Sequence, residues 1–172
     1  MRRICYSVAM SLDGYIAGPN GEFDWILMDP EIDFGAMMSR FDTLLMGRGT
    51  FAASQTMGPG GMPGMKTVVV STTLRPEDHA KVTLIGKDVE QAVKRLKAEP
   101  GKDIWLFGGG KLFRSLLDAR LVDAVEVAII PVVIGGGLPM LPPGGQRATL
   151  KLVNSKVYQQ TGTVLLEYAV DT

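Results

Sequence analysis

Cysteine and histidine are nearly missing from this chain: 172 residues hold one of each, Cys5 and His79. A single cysteine excludes an internal disulfide and any cysteine-based metal cluster, and its alternating apolar surroundings imply a buried, inert thiol. His79 stands in the charged stretch "RPEDHAK", which predicts a solvated surface residue, and no Ser-His-Asp set or metal-ligand spacing accompanies it. Net charge is missing too. Eighteen basic side chains balance eighteen acidic ones, with no long block of either sign, so neither a nucleic-acid-binding tail nor a polybasic membrane patch is indicated. Nor does "MRRICYSVAM" or any later segment supply the eighteen or so apolar residues that a membrane-spanning helix needs. The expectation is a soluble cytoplasmic protein, one domain over residues 1–172, that acts on a small molecule. A 46% hydrophobic composition is enough for a substantial core at this length.

What is present is a series of short apolar runs. Residues 3–10 alternate, and "DTLLMG", "KTVVVS", "KVTLI", "DIWLFG" and "AVEVAII" are bounded by glycine, proline or charge, as strands buried on both faces are. Between them, "DVEQAVKRLKAE" predicts a helix over 88–99 capped by Asp88 and stopped by Pro100-Gly101, and a second helix is predicted from Lys111 to about Leu121. Strands alternating with helices imply a mostly parallel sheet covered on both faces. The last forty residues, "ATLKLVNSKVYQQ" and "GTVLLEYAV" joined by "TG", predict an antiparallel hairpin, so the sheet is mixed. One biased segment, "MGPGGMPGM" at 57–65, reads as a surface loop, with a lid or a dimer contact as the sharper alternative.

Three strand ends carry residues that suit an anion. Gly108-Gly109-Gly110 follows "DIWLF" and opens a helix; it matches neither the Walker spacing nor the dinucleotide fingerprint, since Leu112 and Phe113 stand where those motifs need other residues. What survives is general physics: glycines between a strand and a helix let backbone amides approach an anion at the positive end of the helix dipole. In "LLMGRGTF" a strand again ends at a glycine, Gly47, followed by Arg48, Gly49 and Thr50; a guanidinium can grip a phosphate with two parallel bonds. "TVVVSTTL" ends in Ser71-Thr72-Thr73. In an open parallel sheet such carboxyl ends line the ligand crevice, and three of them imply an extended ligand with several phosphates. A second triplet, Gly135-Gly136-Gly137, leads into no helix and reads as a shaping loop near the substrate or a partner subunit.

"SVAMSLDGYIAG", "LLMGRGTF", "VVVSTT" and "IWLFGGGKLF", in this order and spacing, resemble the dihydrofolate reductase superfamily. The nearer likeness is to the branch typified by the C-terminal reductase domain of the bifunctional riboflavin-biosynthesis protein, which has the "SLDG" and late "P-x-x-x-GGG" elements. The resemblance implies an α/β fold of three layers, with a mixed, mostly parallel central sheet flanked by helices and a C-terminal antiparallel hairpin. It also implies a cytoplasmic homodimer, with "AVEVAII" a plausible contact. By the same resemblance Ala9 and Ile16 receive the nicotinamide amide through main-chain atoms, and Gly47, Arg48, Gly49 and Thr50 hold the adenosine-side phosphates. Ser71 and Thr72 complete the 2′-phosphate pocket, while Phe107, Gly108, Gly109, Gly110, Lys111 and Leu112 wrap the pyrophosphate, with two adjacent glycines joined by a cis peptide. A cation at the 2′ position implies NADPH.

The proton donor is less defined. If Phe34, Met37, Met38 and Phe41 form the inward stripe of a helix, Glu31 lies at its edge and is the first choice; Asp29 is the second, although Asp29 before Pro30 also suits a helix cap. Asp13 of "SLDG" matches a family acid beside the substrate, or is a turn residue before Gly14. Apolar residues near Ala128, together with Met65 and Phe113, stand where folate enzymes carry groups for the pterin and its tail. The implied activity is therefore that of a 5-amino-6-(5-phosphoribosylamino)uracil reductase, with dihydrofolate reductase and a non-catalytic NADP-binding module as alternatives. No basic cluster for the phosphate of that pathway's substrate is identifiable in the sequence.

Overall fold

Short runs of valine, isoleucine and leucine suit a pleated surface, and in the computed structural model, which describes residues 1–56 and 62–171, they pair into an eight-stranded sheet. Chain order gives β1 (Ile4–Ser11), β2 (Tyr15–Ala17), α1 (Phe34–Ser39), β3 (Phe41–Gly47), α2 (Arg48–Thr56), β4 (Lys66–Val70), β5 (Val82–Ile85) and α3 (Val89–Ala98). There follow β6 (Asp103–Gly108), α4 (Gly110–Asp118), β7 (Ala124–Ile130), β8 (Leu138–Pro139), β9 (Leu150–Tyr158) and β10 (Thr163–Val170). The sheet runs β5-β4-β3-β6-β1-β7-β10-β9, parallel as far as β7 and antiparallel where β10 joins β7 and β9. The expected α/β architecture with a C-terminal hairpin is present.

Side chains alternate across β1. Ile4 and Tyr6 enter a core shared with Val93 and Leu96 of α3 and with Leu112, Phe113, Leu116 and Leu117 of α4. Cys5 enters the opposite core, with Phe41, Leu44, Met46, Phe51 of α2 and Trp105, against which Met37 and Met38 of α1 pack. Helices therefore cover both faces. The four buried side chains of α4, each worth about 1.5–3 kcal/mol when removed from water, hold a helix of nine residues that alone would be marginal.

Several boundaries differ from those the sequence predicts. The helix expected from Lys111 to Leu121 occupies Gly110–Asp118. Asp88 precedes α3 in a left-handed conformation (φ 48°) and its side chain makes no capping bond, because a residue in that conformation turns away from the first-turn amides. The stripe Phe34–Phe41 spans two elements: α1 has six residues, Asp33 caps it by accepting from the Ala36 N–H (2.8 Å), and Phe41 already belongs to β3. His79 is half-buried, its ring edge-on to Phe51 at 5.3 Å, rather than solvated. The apolar strand β7 has both edges paired, so it offers no edge to another chain; exposed Leu150, Leu152, Val153 and Val157 stand on the outermost strand, β9. Of the "MGPGGMPGM" segment, residues 57–61 lie outside the described residues, while Met62 and Met65 pack against the second core. The two-stranded pairing of β2 with β8 was not foreseen.

A candidate dinucleotide site at the carboxyl ends of β3 and β6

Adjacent strands β3 and β6 send their connections in opposite directions. β3 passes directly into α2, which packs on one face of the sheet and leads to β4; β6 passes into α4, which packs on the other face and leads to β7. Where such connections diverge, an open crevice forms outside the carboxyl ends of the strands. Two nine-residue helices begin at this crevice, and the first backbone N–H groups of a helix have no intrahelical partner. Met46 is in register with Gly108, and Gly47 with Val70 of β4, so the three strand ends named from the sequence are neighbours.

The glycines are required here by close approach. The Gly108–Gly109 peptide is cis, as the resemblance implies, and φ at Gly108 is +142°. A Cβ on either residue would stand 3.2 Å from Oγ1 of Thr50, and one on Gly110 would stand 2.6 and 2.8 Å from the carbonyl oxygens of Pro139 and Met140. Thr50 therefore sits directly on the glycine turn, bringing the starts of α2 and α4 together. At Gly47 and Gly49 an added Cβ would meet nothing within 4 Å. Space beside open glycines and next to paired helix starts fits a pyrophosphate.

Arg48 and Lys111 are exposed and form no ion pair among the described residues. Ser71 is buried, donates its N–H to the Ile85 carbonyl, and accepts at Oγ from the N–H groups of Thr73 (3.2 Å) and Leu74 (3.1 Å). That bonding fixes the turn after β4 and leaves Thr72 exposed beside it. Leu112 points into the core, so its backbone N–H is what it can offer a ligand. Phe107 is half-buried and meets Trp105 edge to face at 5.1 Å; Trp105 Nε1 donates to the Ser7 carbonyl (3.0 Å). Ala9 faces Ala128 across β1 and β7, and Ile16 lies in β2.

The three candidate acids lie on the β1–β7 side of these strand ends, each in a different setting. Asp29 is buried at 2% exposure and accepts from the Glu31 N–H (2.9 Å), the Thr161 N–H (3.1 Å) and the Thr161 hydroxyl (2.8 Å). Burial pushes its pKa up, but those donors and nearby Lys156 outweigh burial and hold it below the usual carboxylate range. Glu31 is exposed in the turn before α1, so the helical projection that ranked it does not describe its position. Asp13 is exposed and accepts from the N–H groups of Gly135 (2.8 Å) and Ile134 (3.2 Å); the Ser11 hydroxyl first, then these amides, lower its pKa.

Asp13 thus ties the β1–β2 turn to the second glycine triplet, which makes its own close approach: φ at Gly137 is +148°, and a Cβ there would overlap the Ala17 carbonyl oxygen. The sequence reading missed Thr161 and the Pro139–Met140 carbonyls, for which no local motif exists. Two clefts of about 300 and 330 Å³ lie elsewhere, against α4 and residues 146–150, and neither includes these strand ends.

The uncharacterized protein YyaP of Bacillus subtilis (strain 168) is 35% identical over 97% of this chain and 94% of its own length. A Shewanella sp. PV-4 protein assigned by name to riboflavin biosynthesis superposes with TM-score 0.85 at 25% identity, covering all of both chains. Dihydrofolate reductase from Enterococcus faecalis, determined with NADP(H), superposes with TM-score 0.73 at 18% identity, over 99% of this chain and 97% of that one, a likeness of fold. The profile of the RibD C-terminal domain matches residues 2–165. With that match over nearly the whole chain and the sheet order in place, the chain belongs to the RibD C-terminal domain family.

Proposed function

We propose that the protein is an NADPH-dependent reductase of a small heterocyclic substrate, with chemistry of the riboflavin-pathway type. The observation that carries this reading is the seating of Thr50 on Gly108–Gly109, which joins two helix starts between two cations that lack carboxylate partners among the described residues. Bound there, the cofactor supplies a hydride. The chain's own groups bind and orient: Arg48, with Ser71 and Thr72, holds the 2′-phosphate, and Gly47, Gly49 and Thr50 leave room for the adenosine-side phosphates. The amides of Gly109, Gly110 and Leu112, with Lys111 and the Phe107 backbone, hold the pyrophosphate. Main-chain atoms of Ala9 and Ile16 hold the nicotinamide amide, which places the substrate beside β1 and β7.

Asp29 and Asp13 are held ionised by their donors and serve to fix the turns around the substrate. Glu31, whose N–H Asp29 grips, is the group assigned to proton delivery. NADPH should raise the melting temperature more than NADH does; no response to either dismisses the reductase reading. Arg48→Ala should weaken NADPH about 10- to 100-fold and leave NADH nearly unchanged, since one charge-assisted phosphate grip is worth roughly that. Equal loss for both cofactors contradicts the 2′-phosphate assignment.

A further inference from the structure

The β1–β7 side of the crevice has a charge pattern opposite to that of the β3–β6 side. From Ile4 to Ser39 the chain has no Lys, Arg or His and six carboxylates: Asp13, Glu22, Asp24, Asp29, Glu31 and Asp33. From Leu121 to Gln146 there is again no cation. These two segments supply β1 and its exit, the approach to α1, and β7 and its exit.

Phosphate-binding donors are not lacking on this side; they are already taken. The Gly135 loop presents consecutive amides, the arrangement that cradles an anion elsewhere, but the N–H groups of Ile134 and Gly135 are bound by the Asp13 carboxylate. Arg40, between α1 and β3, has a guanidinium fork, yet both of its ends are bonded to Glu126 of β7, with Glu167 beside Glu126 in register on β10. The Thr161 amide and hydroxyl at the hairpin turn are bound by Asp29. Lys156 lies over the Tyr158 ring (4.5 Å) on β9, and its charge already acts on Asp29, whose pKa it helps to lower. Each donor set a phosphate ester could use faces a carboxylate of the chain itself.

We propose that the substrate carries no phosphate: it is a neutral or cationic nitrogen heterocycle, admitted by a side whose donors are held by the chain's own carboxylates and that repels the dianionic ester of a phosphoribosyl compound. This rests on the reductase reading above for the position of the substrate. A phosphate monoester brings 1.5 to 2 negative charges and requires unclaimed cations or amides; a neutral or protonated ring leaves the three carboxylate clasps intact.

The test starts from NADPH binding, which if absent removes the reductase reading itself and separates that failure from this one. On the NADPH complex, inorganic phosphate is titrated while the backbone amides of Ile134, Gly135 and Thr161 are followed by NMR. These signals should stay still at millimolar phosphate in the native protein, and those of Ile134 and Gly135 should respond in Asp13→Asn, where the loop amides are less tightly held. Saturable movement in the native protein overturns the proposal. Reduction of 5-amino-6-ribosylaminouracil and its 5′-phosphate, followed by NADPH oxidation, gives the kinetic form. The phosphate-free compound should have a kcat/KM at least about tenfold higher, with the gap narrowing as salt screens the repulsion. Equal or better use of the phosphate ester overturns the proposal while leaving the reductase intact. If neither compound is reduced, the phosphate titration alone decides.

Discussion

The two ends of the parallel strands are built on opposite principles. At the amino-terminal ends, charges are matched: Arg2 with Asp42, Arg3 with Asp103 (2.6 Å), Lys97 with Asp123 (2.5 Å) and Lys66 with Glu99 (3.2 Å). Arg2 is buried and also bonds Thr43 and the Lys102 carbonyl, so the start of β1 is clamped to β3 and to the lead into β6. At the carboxyl ends of β3, β4 and β6 the strands give way to glycines, hydroxyls, helix starts and the cations Arg48 and Lys111, unmatched among the described residues. One end commits its charges to the fold; at the other, the starts of α2 and α4 carry cations that form no ion pair among the described residues. The two settings are separated by the length of a seven-residue strand, about 23 Å.

The comparison breaks most visibly at Asp123. Its Oδ2 accepts from the Ile4 N–H (2.7 Å) and from Lys97, which is only 8% exposed. Asp123→Ala should cost about 3 kcal/mol by denaturant unfolding, because it strands a buried ammonium and a backbone donor, while NADPH affinity of the folded fraction stays the same. A comparable loss of affinity would mean that the ends are not independent. Next in size, Gly110→Ala should cost about 1–3 kcal/mol in thermal unfolding and weaken NADPH as well, since its methyl displaces the Pro139–Met140 backbone from the start of α4. Gly49→Ala sharpens the contrast by reversing the sign: a helix gains up to about 1 kcal/mol from the exchange, yet a methyl at the start of α2 should weaken NADPH. Unchanged affinity would place the ligand away from α2.

The smallest effect concerns pH. Because the folded pKa of Asp29 is depressed, its clasp on Thr161 contributes fully above the unfolded value near 3.9 and is lost as pH falls through the folded value. The stability difference between the native protein and Asp29→Asn should therefore be constant from neutrality to about pH 5 and close in stronger acid. A gap that widens in acid would contradict an ionised Asp29.

What could be read from sequence was what is local. Gly47-Arg48 and the Gly108 triplet were legible because a buried strand, its terminating glycines and the following helix are contiguous, and α4 because Leu112, Leu116 and Phe113 recur at helical spacing. α1 was overextended because Phe41 continues the helical spacing by coincidence while starting a strand. β2 and β8, with three and two residues, are too short for any period. The clasps on the β1–β7 side join residues far apart in sequence, Asp13 to Gly135 and Asp29 to Thr161, and only the folded sheet brings them together.

The placement of the two tryptophans has a spectroscopic consequence. Trp105, stacked on Phe41 at 5.4 Å, edge-on to Phe107 and hydrogen-bonded to β1, has an indole locked in the core, so its emission reports global unfolding. Trp25 is half-buried and donates Nε1–H to the Glu22 carbonyl three residues earlier (3.2 Å), so its emission follows the loop between β2 and α1. The protein thus carries one fluorophore for its core and one for the loop that holds Asp29 and Glu31, and single-tryptophan variants can read them separately.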